Sequence, residues 1–212
     1  MSDQEIKKRI METASEWFYR HGFSRVTMDE LADKMGMSKK TLYKYFSSKD
    51  DLLDEMVEVT MKETVSRCAS IFDDHSVDLV TRLKQTMTIV AMEYSKIGKL
   101  LLEDIQRNAP HIWKKIDSAR REHILTNFAK MLREGCDLGI FRKDIDQQLM
   151  LLIYTNTIQN IINPDVLVQV PFSAAQVFEG VIKIFYEGIM TPEGRAKYLH
   201  NKPTETVEAA TV

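Results

Sequence analysis

The sequence predicts an all-α fold: a short three-helix unit at the N-terminus followed by a larger helical body. Apolar residues recur at three- and four-residue spacing along most of the chain, the period of a helix with one buried face. Side chains suited to helix N-caps stand just ahead of these stripes. Only 8 glycines and 5 prolines occur in 212 residues, too little turn chemistry for a many-stranded fold.

Ile6, Ile10, Ala14 and Phe18 recur every four residues and stop at His21-Gly22, marking the first helix. Thr27 with Glu30 forms a capping box that opens a second helix, which carries Leu31, Ala32 and Met35 inward. Gly36 breaks it, and Ser38 caps a third helix whose inward residue is Leu42. Ser47 or Ser48 caps a fourth, with Asp50 and Asp51 in its first turn and Leu53, Val57, Met61, Val65, Cys68 and Phe72 along one stripe. Leu79, Leu83, Met87, Val90 and Tyr94 mark a fifth helix that ends at Gly98. A brief helical stretch over 99–108 stops ahead of Pro110. Leu125, Phe128, Leu132 and Cys136 lie on the next helix, which ends near Gly139. The segment 145–162 forms an eighth and 173–190 a last, both apolar on more than one face. Residues 201–212 lack apolar periodicity and read as a flexible tail.

Hydrophobic residues make up 44% of the chain and charged residues 28%, enough apolar surface to fold and enough charge to stay in solution. Cys68 and Cys136 are far apart with no CxxC, which indicates neither a zinc knuckle nor a redox pair. The longest apolar run, 149–154, is too short to cross a bilayer, and Asp3, Glu5, Lys7, Lys8 and Arg9 stand where a signal peptide is apolar. A reduced, cytoplasmic protein without membrane attachment is expected.

His21, His75, His111, His123 and His200 lack metal-ligand spacing, and neither Asp73-Asp74-His75 nor Glu103-Asp104 makes an acid–base pair. No GxGxxG, P-loop or GxSxG motif occurs, so no catalytic residue, metal or cofactor is expected.

The net charge of −2 is unevenly placed. Residues 1–50 carry 10 Lys and Arg against 8 Asp and Glu, and no acidic residue separates Lys34 from Lys49. Lys39, Lys40 and Lys44 crowd a very short third helix, two of them in the first turn, where cations oppose the macrodipole. Helix stability alone would not select them; a docked polyanion would. A glycine-linked helix pair with a cationic second member is the geometry of a helix-turn-helix reader in the major groove.

The run Thr27-Met28-Asp29-Glu30-Leu31-Ala32-Asp33-Lys34-Met35-Gly36-Met37-Ser38-Lys39-Lys40-Thr41-Leu42-Tyr43-Lys44-Tyr45-Phe46, followed by Ser48-Lys49 and Leu52-Leu53, resembles the N-terminal signature of the tetracycline-repressor (TetR) family. The resemblance covers about a quarter of the chain; beyond it, only the helix count and the turn Gly139-Ile140-Phe141-Arg142 match. It implies an all-helical homodimer with a DNA-binding domain over 1–47 and a ligand-binding and dimerisation domain over 48–200, ahead of the tail at 201–212. By position, Ser38 through Tyr43 form the recognition helix, with Lys39, Lys40, Thr41 and Lys44 toward base edges and Thr27, Tyr43, Tyr45 and Lys49 on phosphates. Lys40 departs from the family, in which many members have a small residue there.

Twelve methionines suggest an adaptable apolar pocket, with Met61, Met87, Tyr94, Trp113, Phe128 and Met131 as its candidate lining. The broad apolar arcs of the last two long helices suggest a dimer contact through Leu149, Ile153, Ile158, Phe178, Ile182 and Phe185. The expected function is a transcriptional repressor that binds operator DNA as a homodimer and releases it when a small-molecule effector is bound. A helical-bundle enzyme with an incidental basic face, or a helical interaction module, are the alternatives.

Overall fold

Capping chemistry sets the helix boundaries. In the computed structural model, which describes residues 2–200, α1 (Asp3–His21) starts at a Ser2–Glu5 capping box and ends at Gly22, whose φ of +86° few other residues tolerate. Thr27 and Glu30 cap each other at the head of α2 (Met28–Met35), and Gly36 closes it in the left-handed conformation. Ser38 caps α3 (Lys39–Tyr45), and Ser48, not Ser47, caps α4 (Lys49–Phe72). The Ser47 hydroxyl instead bonds the Asp51 carboxylate.

Asp78 caps α5 (Leu79–Lys96), and α6 (Lys99–Asn108) follows Gly98. Pro110 then begins a helix. It stands in the first turn of α7 (Pro110–His123), where a missing N–H costs nothing. The helical run continues through a π-helical turn at Ile124–Phe128 into α8 (Ala129–Asp137). The sequence signals the stop before Pro110 but not that the same proline starts the next helix.

An Asp146 cap opens α9 (Gln147–Ile161), short α10 (Pro164–Leu167) follows, and a Ser173–Gln176 capping box opens α11 (Ala174–Ile189). The chain then forms α12 (Pro192–His200). The turn after α8 is tied to the end of α11 by Arg142 N–H to Ile189 O (2.8 Å) and Thr191 N–H to Ile140 O (2.9 Å). The tail expected over 201–212 lies outside the described residues.

Two apolar cores result. One gathers α5, α8, α9 and α11 around Leu83, Leu132, Met150 and Tyr186. The other contains Ile10, Ala14, Phe18, Leu31 and Leu42, but it does not close at residue 47. It takes in Leu52 and Leu53 of α4, Leu101 and Ile105 of α6, and Ala109 and Ile112 at the start of α7. Ile97 and Trp113 are packed against both cores.

Ile158, Phe178 and Ile182 are core residues, each at most 5% exposed, and so are not available as a dimer surface in this chain. Phe185 is half-buried against Tyr154 (5.1 Å between ring centres) and Phe128 (5.8 Å). A helix that is apolar all round gives no phase, so the sequence cannot say which side turns inward. Leu149 and Ile153 are exposed, together with Leu152 and Ile184.

Gly135 in α8 faces the ring of Phe141, which is buried and stacked on Tyr186. A Cβ at Gly135 would stand 2.2 Å from that ring. Gly135→Ala is therefore expected to destabilise the protein by about 1–3 kcal/mol through overpacking, despite alanine's higher helix propensity. Thermal unfolding reads the result; an unchanged or raised melting temperature would mean that the ring can step aside.

Candidate nucleic-acid interface and ligand cavity

α3 buries only Leu42 fully in the core, with Tyr45 packed half-buried against it, a consequence of its short length and of one aliphatic residue among Lys39–Tyr45. Ser38, Lys39, Lys40, Thr41, Tyr43 and Lys44 are exposed on it, as is Thr27 at the head of α2, while Tyr45 is half-buried. The structure thus brings eight of the nine expected contact residues to the region of α3 and the start of α2.

Their present partners differ. Lys39 Nζ lies 2.5 Å from an Asp29 carboxylate oxygen, and this hydrogen bond raises its pKa. The Tyr45 hydroxyl donates to Asp3 (2.7 Å), which raises the phenol's pKa, and Lys44 stands 4.0 Å from the same carboxylate. Thr27 Oγ1 is engaged with Glu30 in the capping box, and Ser38 Oγ with Thr41 Oγ1 at 2.8 Å. Lys40 and Tyr43 make no hydrogen bond or ion pair with any described residue. Each is an available donor on an outward face.

Lys49 corrects the sequence reading. Its ammonium donates to the carbonyls of Phe23 (2.8 Å), Ser24 (3.2 Å) and Val26 (2.8 Å) and stands 4.5 Å from the centre of the Phe23 ring. Three acceptors use all three of its donors. Partial burial lowers its pKa. Lys49 therefore braces the α1–α2 loop from inside and is not free to hold a phosphate. The same loop is held from the other side by Asp104 of α6, which accepts the Ser24 N–H at 2.9 Å. Arg25, which the sequence reading passed over, is exposed in this loop two residues ahead of Thr27.

A cavity of about 80 Å³ lies between α5, the α7–α8 run, α9 and α11. Met87, Tyr94, Phe128 and Met131 line it as expected. Met61 and Trp113 do not: Met61 lies half-buried on α4, and Trp113 is wedged between the two cores. Sequence reasoning missed the polar side of the cavity, formed by Arg120, His123 and Asn127 with Thr86 of α5. The spacing of Arg120, His123 and Asn127 along one helix was the available signal. The Asn127 amide lies 2.7 Å from His123 Nδ1, and burial lowers the histidine's pKa. Among the described residues, no group of three or more His, Cys, Asp or Glu side chains is placed to hold a metal, and no helix is long and apolar enough to cross a membrane.

Residues 10–56 match the family model of bacterial regulatory proteins of the tetR family. The chain is 26% identical over 188 residues to the helix-turn-helix-type transcriptional regulator YvaF of Bacillus subtilis, covering 89% of this chain and 97% of the relative. Among solved structures, a transcriptional regulator from Saccharomonospora viridis in complex with choline superposes with a TM-score of 0.68 at 22% identity, covering 89% of this chain and all of that one. FadR of Bacillus subtilis in complex with stearoyl-CoA gives 0.63 at 17% identity, covering 86% of this chain and 98% of the other. The two structures share the fold over nearly their whole length.

The bonding of Lys49 generates a prediction with two readouts. Lys49→Gln should lower the melting temperature, because the part-buried carbonyls of Phe23 and Val26 lose a charged donor, at a cost of about 1 kcal/mol. The slope of log DNA affinity against log salt should stay unchanged. A slope shallower by about two units, one phosphate from each of two subunits, would return Lys49 to the DNA surface.

Proposed function

The chain is a transcriptional regulator with a tetR-family helix-turn-helix domain, and from that premise we propose that it is a repressor that binds a two-fold operator as a homodimer and is released by a small molecule. The observation that carries the reading is α3, which spends one residue on the core and presents a basic, tyrosine-bearing face. Such a helix suits the major groove, while α2 crosses the backbone. Lys40 and Tyr43, without a hydrogen bond or ion pair to any described residue, need give up no such bond to engage DNA. Lys39 must exchange Asp29 for the nucleic acid, so Asp29 screens the face against nonspecific anions.

Thr27, Tyr43 and Tyr45 are assigned to phosphates, and Lys39, Lys40, Thr41 and Lys44 to base edges, with Ser38 setting the entry angle of α3. Exposed Arg25 joins the phosphate group. Homodimerisation is assigned to Leu149, Leu152 and Ile153 of α9 with Ile184 of α11, apolar side chains left uncovered by the fold. The effector site is the cavity beside the π-helical turn. The solved relatives were captured with molecules as unlike as choline and stearoyl-CoA, so the ligand has to be read from this chain's own lining. Relatives with matching folds are regulators, and no catalysis enters the reading.

Mobility shift on the DNA upstream of the protein's own gene tests the proposal; failure to bind any fragment selected from a random pool would sink it. Lys40→Ala should alter the preferred bases with a loss of about 1–3 kcal/mol in discrimination. Tyr43→Phe should weaken all sites alike and leave the selected motif unchanged. Sedimentation of a Leu152→Glu, Ile184→Glu double variant should show a folded monomer with reduced operator affinity. A dimer that persists in this variant would place the contact elsewhere.

A further inference from the structure

The cavity is apolar on most of its wall and cationic at one point. Arg120 reaches it from α7 with the guanidinium carbon 5.8 Å from the ring centres of both Tyr94 and Trp113. One of its N–H groups donates to the carbonyl of Ile162 at 3.2 Å. No carboxylate among the described residues lies within ion-pair distance of it. Among the described residues, no Asp or Glu lines the cavity. Asp117, one turn before Arg120, accepts from Gln159 at 3.3 Å and is not part of the wall, although its charge, like that of Arg120, acts on the buried Tyr94 hydroxyl.

His123 supports the same polarity. With Asn127 donating its amide N–H to Nδ1, the neutral imidazole carries its proton on Nε2 and offers a second donor. Thr86, the remaining polar residue of the wall apart from Tyr94 and Tyr154, returns its hydroxyl proton to the Arg82 carbonyl (2.9 Å). The polar wall is therefore rich in donors that lack a negative partner.

We infer that the effector is an amphipathic organic anion, with a carboxylate or comparable head on Arg120 and His123 and an apolar body among Met87, Phe128, Tyr154 and Phe178. This rests on the reading of the cavity as the effector site. A ligand that closes the cavity strips water from Arg120, and only one that brings its own negative charge repays that loss. The planar fork of arginine binds two carboxylate oxygens at once. An ammonium head in the same place meets a fixed like charge. At about 80 Å³ the space is smaller than the roughly 150 Å³ that accommodates benzene in an engineered apolar cavity, so the ligand must widen it. Met87 and Met131 are side chains suited to yield.

Three probes that share a body and differ in the head decide the matter: 4-phenylbutyrate, 4-phenylbutanol and 4-phenylbutylamine, titrated into the full-length protein by calorimetry and followed by Trp fluorescence. The carboxylate should bind at least tenfold more tightly than the alcohol, and the amine more weakly than either. Arg120→Gln should abolish the preference for the carboxylate while leaving alcohol affinity within about twofold, which separates lost charge recognition from a damaged fold. Arg120→Lys should restore part of it. Equal binding of acid and alcohol by the wild type, or a preference that survives Arg120→Gln, overturns the anion assignment while the cavity remains the effector site. Failure of all three to bind at millimolar concentration overturns the assignment as well, whereas operator binding, measured without ligand, stands or falls separately.

Discussion

Too few residues for a core of its own is the constraint from which the rest of the structure follows. The first three helices span fewer than 50 residues, a size at which a hydrophobic core rarely suffices. They complete theirs with side chains from further along the chain: Leu52 and Leu53 from α4, Leu101 and Ile105 from α6, Ala109 and Ile112 from the start of α7. The DNA-binding unit is thus seated on α6 and α7, and its orientation depends on where those helices lie. α7 runs on from that seat to Arg120 and His123 at the cavity. One helix belongs to the head's core at its beginning and to the cavity wall at its end.

The sequence made the local rules visible. The capping box at Thr27–Glu30, the glycine stops at Gly22 and Gly36, and single apolar stripes such as Ile10, Ala14 and Phe18 each depend on residues only a few positions apart, and they appear in the structure where the pattern puts them. What depends on distant neighbours was hidden. Lys49 and Lys40 are the same residue type in the same basic run, yet one points into three carbonyls of a loop some 25 residues earlier and the other into solvent. No charge count distinguishes them. The phase of α9 and α11 was equally out of reach, because their apolar arcs are wide enough to accommodate any rotation; only packing on neighbouring helices, Tyr154 on Phe128 and Phe178 on Tyr94, decides that Ile158 and Phe178 face inward while Leu152 and Ile184 face out.

The cavity between α5 and α11 shows an intermediate case. Its apolar wall was accessible from methionine and aromatic stripes, which is why Met87, Tyr94, Phe128 and Met131 were found. Its polar wall was not sought, since arginine, histidine and asparagine on a helix ordinarily signify a solvated face. The π-helical turn at Ile124–Phe128 contributes to this arrangement. Three of its residues, Ile124, Asn127 and Phe128, line the cavity, and such wide turns are found at functional sites more often than chance allows.

If the cavity is the effector site proposed above, transmission from it to the DNA unit rests on packing more than on charge. The polar links between α7 and α4 are the ion pairs of Lys115 with Asp54 (2.8 Å) and Glu58 (3.2 Å), with His111 standing 3.8 Å from Asp50. All are at least one-third exposed, and such pairs contribute about 0–1 kcal/mol each. A hundredfold change in DNA affinity corresponds to about 2.7 kcal/mol, more than these surface pairs reliably supply. Buried Leu101, Ile105, Ala109 and Ile112, by contrast, cannot follow a moving α7 without either carrying the head with them or opening space in its core, and cavities in a core cost several kcal/mol. The cheaper course is rigid displacement. On the proposed reading, an effector that widens the cavity of about 80 Å³ at one end of α7 acts on a head that must move with the other end, and in the proposed homodimer the spacing between the two recognition helices is the quantity that such a displacement alters.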